Sequence, residues 1–303
     1  MLEILSNEKM TWIDIVNATS EDLNYLRKSY NFHDLDFDDC LTKVQRPKME
    51  EYDDYRFVVL HFPVVLDKGK SKRFQIEELD FFWGKDFLIT VRSSNLNRVS
   101  ETFEQLRNIE SKFNKYFSQG VDYLLYKLLH KLVKQIEPIM KQISCDIDWI
   151  DVNYDKKKAE SVIEKISELR RNIIFLQSAL KPQLNIFAVF EKTKDQQEKN
   201  MGVYWGDIGD SLVEFIDMAE DDQELLEGLY SSIDTLLTYR TNKIMKILAM
   251  ITVISLPLTA ISGFYGMNVA LPFQDLQNAV WGIVSVMVVS VIIVVLIFTI
   301  NKY

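Results

Sequence analysis

Hydroxyl, amide and small side chains recur along an apolar stretch late in the chain, where they could interact with water. Asn242, Thr252 and Thr259 are separated by ten and seven residues, which are sums of three- and four-residue steps, so they share one stripe of a helix. The predicted pore-lining positions are Asn242, Met245, Leu248, Thr252, Leu256, Thr259 and Gly263. Such a stripe either packs membrane helices together or lines a water-filled pore. A pore would require a ring of identical subunits, because a single pair of helices cannot enclose one.

Carboxylates form a second set of candidate groups. The segment Asp34–Cys40 reads DLDFDDC, and Asp207 and Asp210 lie near the start of a later helix. Each cluster by itself is typical of a solvated acidic surface. The net charge of -9 argues against a nucleic-acid partner and favours cations as ligands.

The element that carries the stripe is predicted to cross a membrane. No charged side chain occurs from Ile247 to Gln274 or from Leu276 to Asn301, and about 20 apolar residues cross a hydrocarbon core of roughly 30 Å. We therefore predict a two-helix transmembrane hairpin. Arg240, Lys243 and Lys246 precede it and Lys302 follows it, which predicts that both termini are cytoplasmic and that the protein is multi-pass.

The first span ends in Tyr265-Gly266-Met267-Asn268, with Pro257 and Thr259 upstream. This arrangement resembles the CorA family of magnesium and other divalent-cation channels, whose signature is this tetrapeptide at the outer end of the first of two membrane helices. Further landmarks follow in the family's order. They are Trp12-Ile13-Asp14, Gln45-Arg46-Pro47-Lys48, Asp122-Tyr123-Leu124-Leu125-Tyr126, Met245-Lys246 and Pro257-Leu258-Thr259.

The resemblance implies a homopentameric funnel in the cell membrane, with an α+β cytoplasmic domain and long helices ahead of the hairpin. The expected division is a cytoplasmic α/β domain over 1–119, an antiparallel helix pair over 120–204, a stalk helix continuing into the pore-lining span over 205–268, an external loop over 269–277 and the second span over 278–301. The N-terminal domain is expected to stay in the cytoplasm, since Met1–Asn17 has no signal-peptide pattern.

The resemblance also assigns roles to individual residues. Tyr265, Gly266, Met267 and Asn268 would form the selectivity filter, where a ring of Asn268 amide oxygens accepts hydrogen bonds from a hydrated Mg²⁺. Met245, Leu248 and Leu256 would form apolar constrictions that gate by dewetting, although packing in a helix bundle explains Met245 and Leu248 equally well. Regulatory Mg²⁺ would bind between subunits at Asp39 and Asp207, with Asp38, Asp146 and Asp210 as weaker candidates.

Two departures from the family pattern and two alternative functions remain. The outer connection contains one acid, Asp275, and Lys302 alone follows the second span.

One alternative function is a transporter of Zn²⁺ or another divalent cation, although Met267 favours Mg²⁺ over the zinc branch. Co²⁺ and Ni²⁺ are further candidate substrates. The other alternative is a membrane-anchored coiled-coil scaffold that transports nothing.

The residues that enzymes commonly use form no recognisable motif. His33, His61 and His130 lack ligand spacing, and Cys40 and Cys145 form no C-x-x-C pair. No glycine-rich phosphate loop follows a predicted strand. We therefore expect that the protein is not an enzyme.

Hydrophobic periodicity predicts the supporting elements. Strands are expected at Thr11–Val16, Arg56–Val65, Phe74–Trp83 and Asp86–Arg92, the last two joined in a hairpin, with a helix from Thr19 or Ser20 to about Tyr30. Helical patterns then cover Asn95–Phe117, Leu124–Ile150 with Pro138 inside, and the residues before Pro182. A last helix begins near Trp205 and continues to about Asn268.

Overall fold

A computed structural model describes residues 1–41, 45–67, 72–154, 159–192, 201–268 and 279–300. The chain divides into two compact units, Met1–Tyr230 and Ser231–Tyr303. The predicted loop over 269–277, with Asp275, lies outside the described residues, as does Lys302. The finer division of the first unit at residues 119 and 204 stays a prediction.

The first unit contains a six-stranded mixed sheet. Its strands are β1 (Leu2–Ser6), β2 (Thr11–Val16), β3 (Lys48–Glu51), β4 (Tyr55–Asp67), β5 (Lys72–Gly84) and β6 (Phe87–Arg92). They lie in the order β1-β2-β6-β5-β4-β3, and only the β2–β6 pair is parallel. The predicted hairpin between β5 and β6 is confirmed. Glycine suits this turn because a Cβ atom at position 84 would overlap the Phe87 ring.

Two short helices cover one face of the sheet. They are α1 (Ser20–Ser29) and α2 (Asp34–Leu41), and their Leu23, Leu26 and Phe37 side chains pack with sheet residues such as Phe57 and Phe82. A capping box starts α1: Thr19 accepts a hydrogen bond from the Asp22 main chain, and the Asp22 carboxylate accepts one from the Thr19 main chain. The predicted start of α1 is therefore confirmed.

The other face of the sheet packs against a larger group of helices. Trp12 packs edge to face on Phe103, and Trp83 packs on Phe190; alternate strand residues point to opposite faces. The helices are α3 (Asn97–Asn108), α4 (Glu110–Phe117), α5 (Val121–Lys134), α6 (Ile136–Asn153), α7 (Ala159–Leu180) and α8 (Gln183–Lys192).

The long helices predicted between residues 95 and 182 are more broken than their patterns indicated. The helix expected over Leu124–Ile150 is interrupted at Gln135, because the Pro138 ring excludes the carbonyl group of Lys134 four residues earlier. Helix α7 ends before Pro182, as predicted, and the sequence did not predict the separate helix α8 that follows this proline. Lys165 of α7 lies 2.8 Å from Asp146 of α6, a pairing that fits antiparallel helices.

The last two helices carry the charge-free segments. Helix α9 extends from Met201 to Tyr265 without interruption, and α10 extends from Ala279 to Ile300. The predicted continuous helix is therefore confirmed, with its start four residues earlier and its end three residues earlier than expected. Pro257 lies inside α9.

Candidate functional site

The predicted pore stripe occupies an uncovered face of α9. Met245 is 62% exposed, Leu248 58% and Leu256 66%. Thr252, Thr259 and Gly263 are exposed as well. Apolar side chains this accessible in one chain require cover from lipid or from other protein.

The opposite face of the same helix is partly covered within its own unit. The half-buried residues here are Met250, Ile254, Pro257, Leu258 and Ile261. At about 100° per residue, the centre of this set lies about 180° from the centre of the polar stripe. Half-buried residues recur at helical spacing on α10 as well, at Ile283, Met287, Ser290, Val291 and Val294. The stripe is therefore on the side of α9 that its own unit leaves free.

The hydroxyl groups of the stripe are oriented by the helix itself. Thr252 Oγ1 donates to the Leu248 carbonyl over 3.0 Å, and Thr259 Oγ1 donates to the Ser255 carbonyl over 2.9 Å. A hydroxyl that donates its only proton to the backbone still offers acceptor lone pairs. Both groups can therefore accept hydrogen bonds from water, including water bound to a cation.

The tetrapeptide begins where α9 ends. The Gly266 main-chain N–H donates to the Ser262 carbonyl over 2.9 Å, and the Met267 N–H to the Phe264 carbonyl over 3.4 Å. A Cβ atom on Gly266 would lie 2.9 Å from the Ser262 oxygen, so glycine permits this close turn. Tyr265, Met267 and Asn268 are exposed beside it.

The carboxylates predicted to bind regulatory metal lie on separate elements. Asp39 of α2 accepts a hydrogen bond from Lys48 Nζ over 2.6 Å, whereas Asp38 is exposed. Asp207 of α9 lies 3.4 Å from the Tyr126 hydroxyl and 3.9 Å from His130 Nε2. Burial is the main cause that lowers the pKa of His130, so the imidazole tends toward its neutral form.

The weaker candidates differ in their surroundings. Asp146 of α6 is paired with Lys165 and accepts from Gln142 over 3.3 Å, whereas Asp210 is exposed. Within the described residues of one chain, no three His, Cys, Asp or Glu side chains are arranged to hold a metal ion. One subunit therefore does not bring the predicted regulatory acids together.

Sequence reasoning missed a hydrogen-bonded network beside Asp39. Asp36, which is fully buried, accepts from Tyr55 over 2.7 Å and lies 3.0 Å from the Tyr52 hydroxyl. Burial raises the pKa of Asp36 in spite of these hydrogen bonds. In the sequence, the only indication is that Asp36 is adjacent to the apolar Phe37. Helix α2 turns both residues toward the sheet, whereas their neighbours Leu35 and Asp38 are exposed.

Among the residues that the structure describes, three helical stretches are long and apolar enough to cross a membrane. Two of them belong to α9 and α10, and the most apolar 18 residues of each contain no residue that is buried inside the protein. The third is Glu160–Lys192, and 44% of its most apolar 18 residues are buried. It includes α7, which packs on β4 and β5, and Pro182 interrupts it. This third stretch therefore belongs to the core of the first unit.

An α+β unit followed by uncovered apolar helices long enough to cross a bilayer indicates a membrane protein. Comparison with known proteins identifies the group. Residues 7–300 match the family described as CorA-like Mg2+ transporter protein. The chain belongs to this family of divalent-cation transporters.

Individual relatives agree with that assignment. The chain is 25% identical over 300 residues to the cobalt/magnesium transport protein CorA of Thermotoga maritima, covering 97% of this chain and 83% of that protein. It is 24% identical to the protein of the same name from Methanocaldococcus jannaschii, covering 96% and 90%. The solved CorA magnesium transporter of Methanocaldococcus jannaschii shares the fold, with a TM-score of 0.81 at 22% identity over 97% of this chain and 92% of that one.

Proposed function

We propose that this protein is a channel that admits Mg²⁺ across the cell membrane, with Co²⁺ and Ni²⁺ as further substrates. The main observation behind the proposal is that α9 has two opposite faces with different surroundings. One face is partly covered by its own unit, and the other presents Thr252 and Thr259 with free acceptor lone pairs. A ring of five copies would turn these stripes toward a common axis.

The transported ion keeps its water in this mechanism. Mg²⁺ dehydrates reluctantly, so a row of neutral acceptors suits the hydrated ion better than a cage of charged ligands. Asn268 would offer its amide oxygen at the entrance, and the Gly266 turn would place it at the end of α9. Tyr265 and Met267 would brace this turn. The side chains of Met245, Leu248 and Leu256 would close the pore by excluding water from it.

The membrane arrangement is part of the proposal. Helices α9 and α10 would form the two-helix hairpin, with both termini in the cytoplasm, because Arg240, Lys243 and Lys246 precede the first charge-free segment. Internal Mg²⁺ would close the channel by binding between subunits at Asp39 and Asp207. Two carboxylates about 5 Å apart repel by roughly 3 kcal/mol at an effective dielectric constant near 20, and a divalent ion between them reverses the sign of the interaction.

Ion flux into proteoliposomes tests this function. The purified chain is expected to admit Mg²⁺, measured with an internal Mg²⁺-sensitive dye, and to restore growth of a Mg²⁺-auxotrophic strain. Asn268→Ala should reduce both by at least about tenfold, since each lost charge-assisted hydrogen bond to the hydrated ion is worth about 1.5 kcal/mol or more. Ser285→Ala on an exposed position of α10 is the matched control and should leave flux unchanged.

Each contrary result identifies a different error. A wild-type protein that inserts and assembles but moves no divalent ion would support the scaffold alternative. Flux of Zn²⁺ without flux of Mg²⁺ would leave the fold assignment intact and replace the substrate. Full activity in Asn268→Ala would show that the entrance does not depend on this amide.

A further inference from the structure

The ammonium group of Lys48 lies between carboxylates from two different elements. Its Nζ atom is 2.6 Å from Asp39 Oδ2 on α2, and it also donates to Glu50 Oε1 on its own strand β3. The Asp39 side chain is 19% exposed and that of Lys48 is 32% exposed. The pair is therefore partly shielded from solvent, and salt screens it less than a fully exposed pair.

The surrounding network holds this ammonium in place. Glu50 Oε2 is 2.9 Å from the Tyr52 hydroxyl, which also approaches the buried Asp36. Lys48 Nζ lies 5.6 Å from the centre of the Phe57 ring, so a cation–π contact adds to the ion pairs. The lysine main chain is fixed as well, since Lys48 pairs with Val59 across β3 and β4.

The protonation states agree with this geometry. Burial alone would lower the pKa of Lys48, but the hydrogen bonds that its ammonium donates to Asp39 and Glu50 outweigh burial and raise the pKa. The hydrogen bond from Lys48 is also the main reason that the pKa of Glu50 is lowered. The ammonium therefore stays charged at neutral pH, in agreement with its position between the two side chains.

We propose that Lys48 is an internal competitor for the regulatory cation at Asp39, and that it sets the concentration of Mg²⁺ needed to close the channel. The inference rests on the proposed regulatory role of Asp39 and Asp207. The ammonium lies 2.6 Å from Asp39 Oδ2, so its positive charge offsets the negative charge that would attract Mg²⁺ to this carboxylate. Two cations at one carboxylate also repel each other. Magnesium binding is therefore weaker while the ammonium remains beside Asp39.

Removing the ammonium should make the protein more sensitive to Mg²⁺. Lys48→Met keeps an unbranched apolar stem over Phe57 but carries no charge, and Lys48→Arg keeps the charge as a matched control. In proteoliposomes of the full chain, Lys48→Met should lower the half-inhibitory internal Mg²⁺ concentration by about tenfold, or about 1.4 kcal/mol in binding free energy. Lys48→Arg should stay within about twofold of wild type, because an arginine also pairs with Asp39.

A second readout does not depend on transport. Hydrogen exchange of the α2 peptide in the assembled protein should slow on adding Mg²⁺, and Lys48→Met should reach half of that protection at about one tenth of the wild-type concentration. The thermal midpoint of each variant without Mg²⁺ shows whether it folds. Lys48→Gln replaces Lys48→Met if the latter unfolds.

Comparison of the aspartate variants with Lys48→Met distinguishes a failure of this inference from a failure of the proposed regulation. If Asp39→Ala and Asp207→Ala leave inhibition and protection unchanged, the regulatory site itself is wrong. If those variants weaken both readouts while Lys48→Met leaves sensitivity unchanged or lowers it, the regulatory site stands and the competitor role is overturned. A lower sensitivity in Lys48→Met would show that the lysine orients Asp39 for the cation.

Discussion

The side-chain amide of Gln183 hydrogen-bonds both main-chain groups of His61. Gln183 Nε2 donates to the His61 carbonyl over 2.9 Å, and the His61 N–H donates to Gln183 Oε1 over 3.3 Å. The first residue of strand β3, Lys48, pairs with Val59 of β4. His61 lies two residues further along β4 and therefore has no partner on β3. The first residue of α8 thus takes the place of the missing strand partner and connects the sheet to the helices.

Replacing this amide should destabilise the first unit. Gln183→Leu would leave a buried N–H and a buried carbonyl of His61 unpaired, at about 1–3 kcal/mol each. We expect a loss of about 2–5 kcal/mol, seen as a clear drop in the thermal midpoint of the detergent-solubilised chain. Gln223→Leu, at a more exposed position of α9 whose partners are side chains, should change the midpoint little. Equal midpoints for Gln183→Leu and wild type would show that the bridge contributes nothing.

A buried carboxyl group predicts how stability depends on pH. Asp80 is 4% exposed, and its Oδ1 atom has no hydrogen-bond partner within the described structure. Burial is the main cause that raises the pKa of Asp80 well above its usual value, and the charge of Glu78 adds to it. The folded state therefore binds a proton that the unfolded state has released, and stability falls as pH rises from about 4 toward the native pKa.

Asp80→Asn should remove that part of the pH dependence. The amide resembles the protonated acid in shape, so the variant is expected to lose less stability than wild type between pH 4 and pH 8. The measurement is the thermal midpoint across this range. Asp151→Asn, at an exposed position of α6, is the control and should follow wild type. Parallel curves for Asp80→Asn and wild type would contradict the prediction.

Much of the fold was predictable because its signals are local. The Thr19 cap, the alternation in Thr11–Val16 and the tight turn at Gly84 each act within a few residues. The interruptions of the helical segments were harder to predict. Pro138 gave a warning, but whether a helix bends or ends at a proline depends on packing, and the hydrophobic pattern continues across the break at Gln135.

The candidate sites were predictable to different degrees. Spacing alone gave the stripe on α9, because helical periodicity fixes which residues share a face. The Lys48–Asp39 pair was not predicted from Gln45-Arg46-Pro47-Lys48, since it joins α2 to β3, and such a contact depends on tertiary packing. The acidic pattern of Asp34–Cys40 likewise predicts a solvated Asp36, although α2 buries it. The role of each site residue stays a prediction.

Thiol accessibility tests which face of α9 meets water. With Cys40 and Cys145 replaced by serine, a charged membrane-impermeant thiosulfonate should react with Leu256→Cys, on the stripe, and block Mg²⁺ flux. Ile254→Cys, on the half-buried face of the same helix turn, is the matched control. A thiol in apolar surroundings stays protonated and reacts slowly, so this variant should remain unmodified over the same exposure.

The two variants separate the pore from simple helix packing. The exposure of Leu256 at 66% in one chain is compatible with lipid contact as well as with a water-filled axis, and a charged reagent distinguishes them because it does not enter the hydrocarbon. With a positively charged thiosulfonate, modification of Leu256→Cys is expected to remove at least about 90% of the flux, because a positively charged adduct on the axis repels a divalent cation. The Ile254→Cys variant should be unaffected. If Ile254→Cys reacted faster than Leu256→Cys, the polar stripe would face lipid or protein, and α9 could not line the pathway with it.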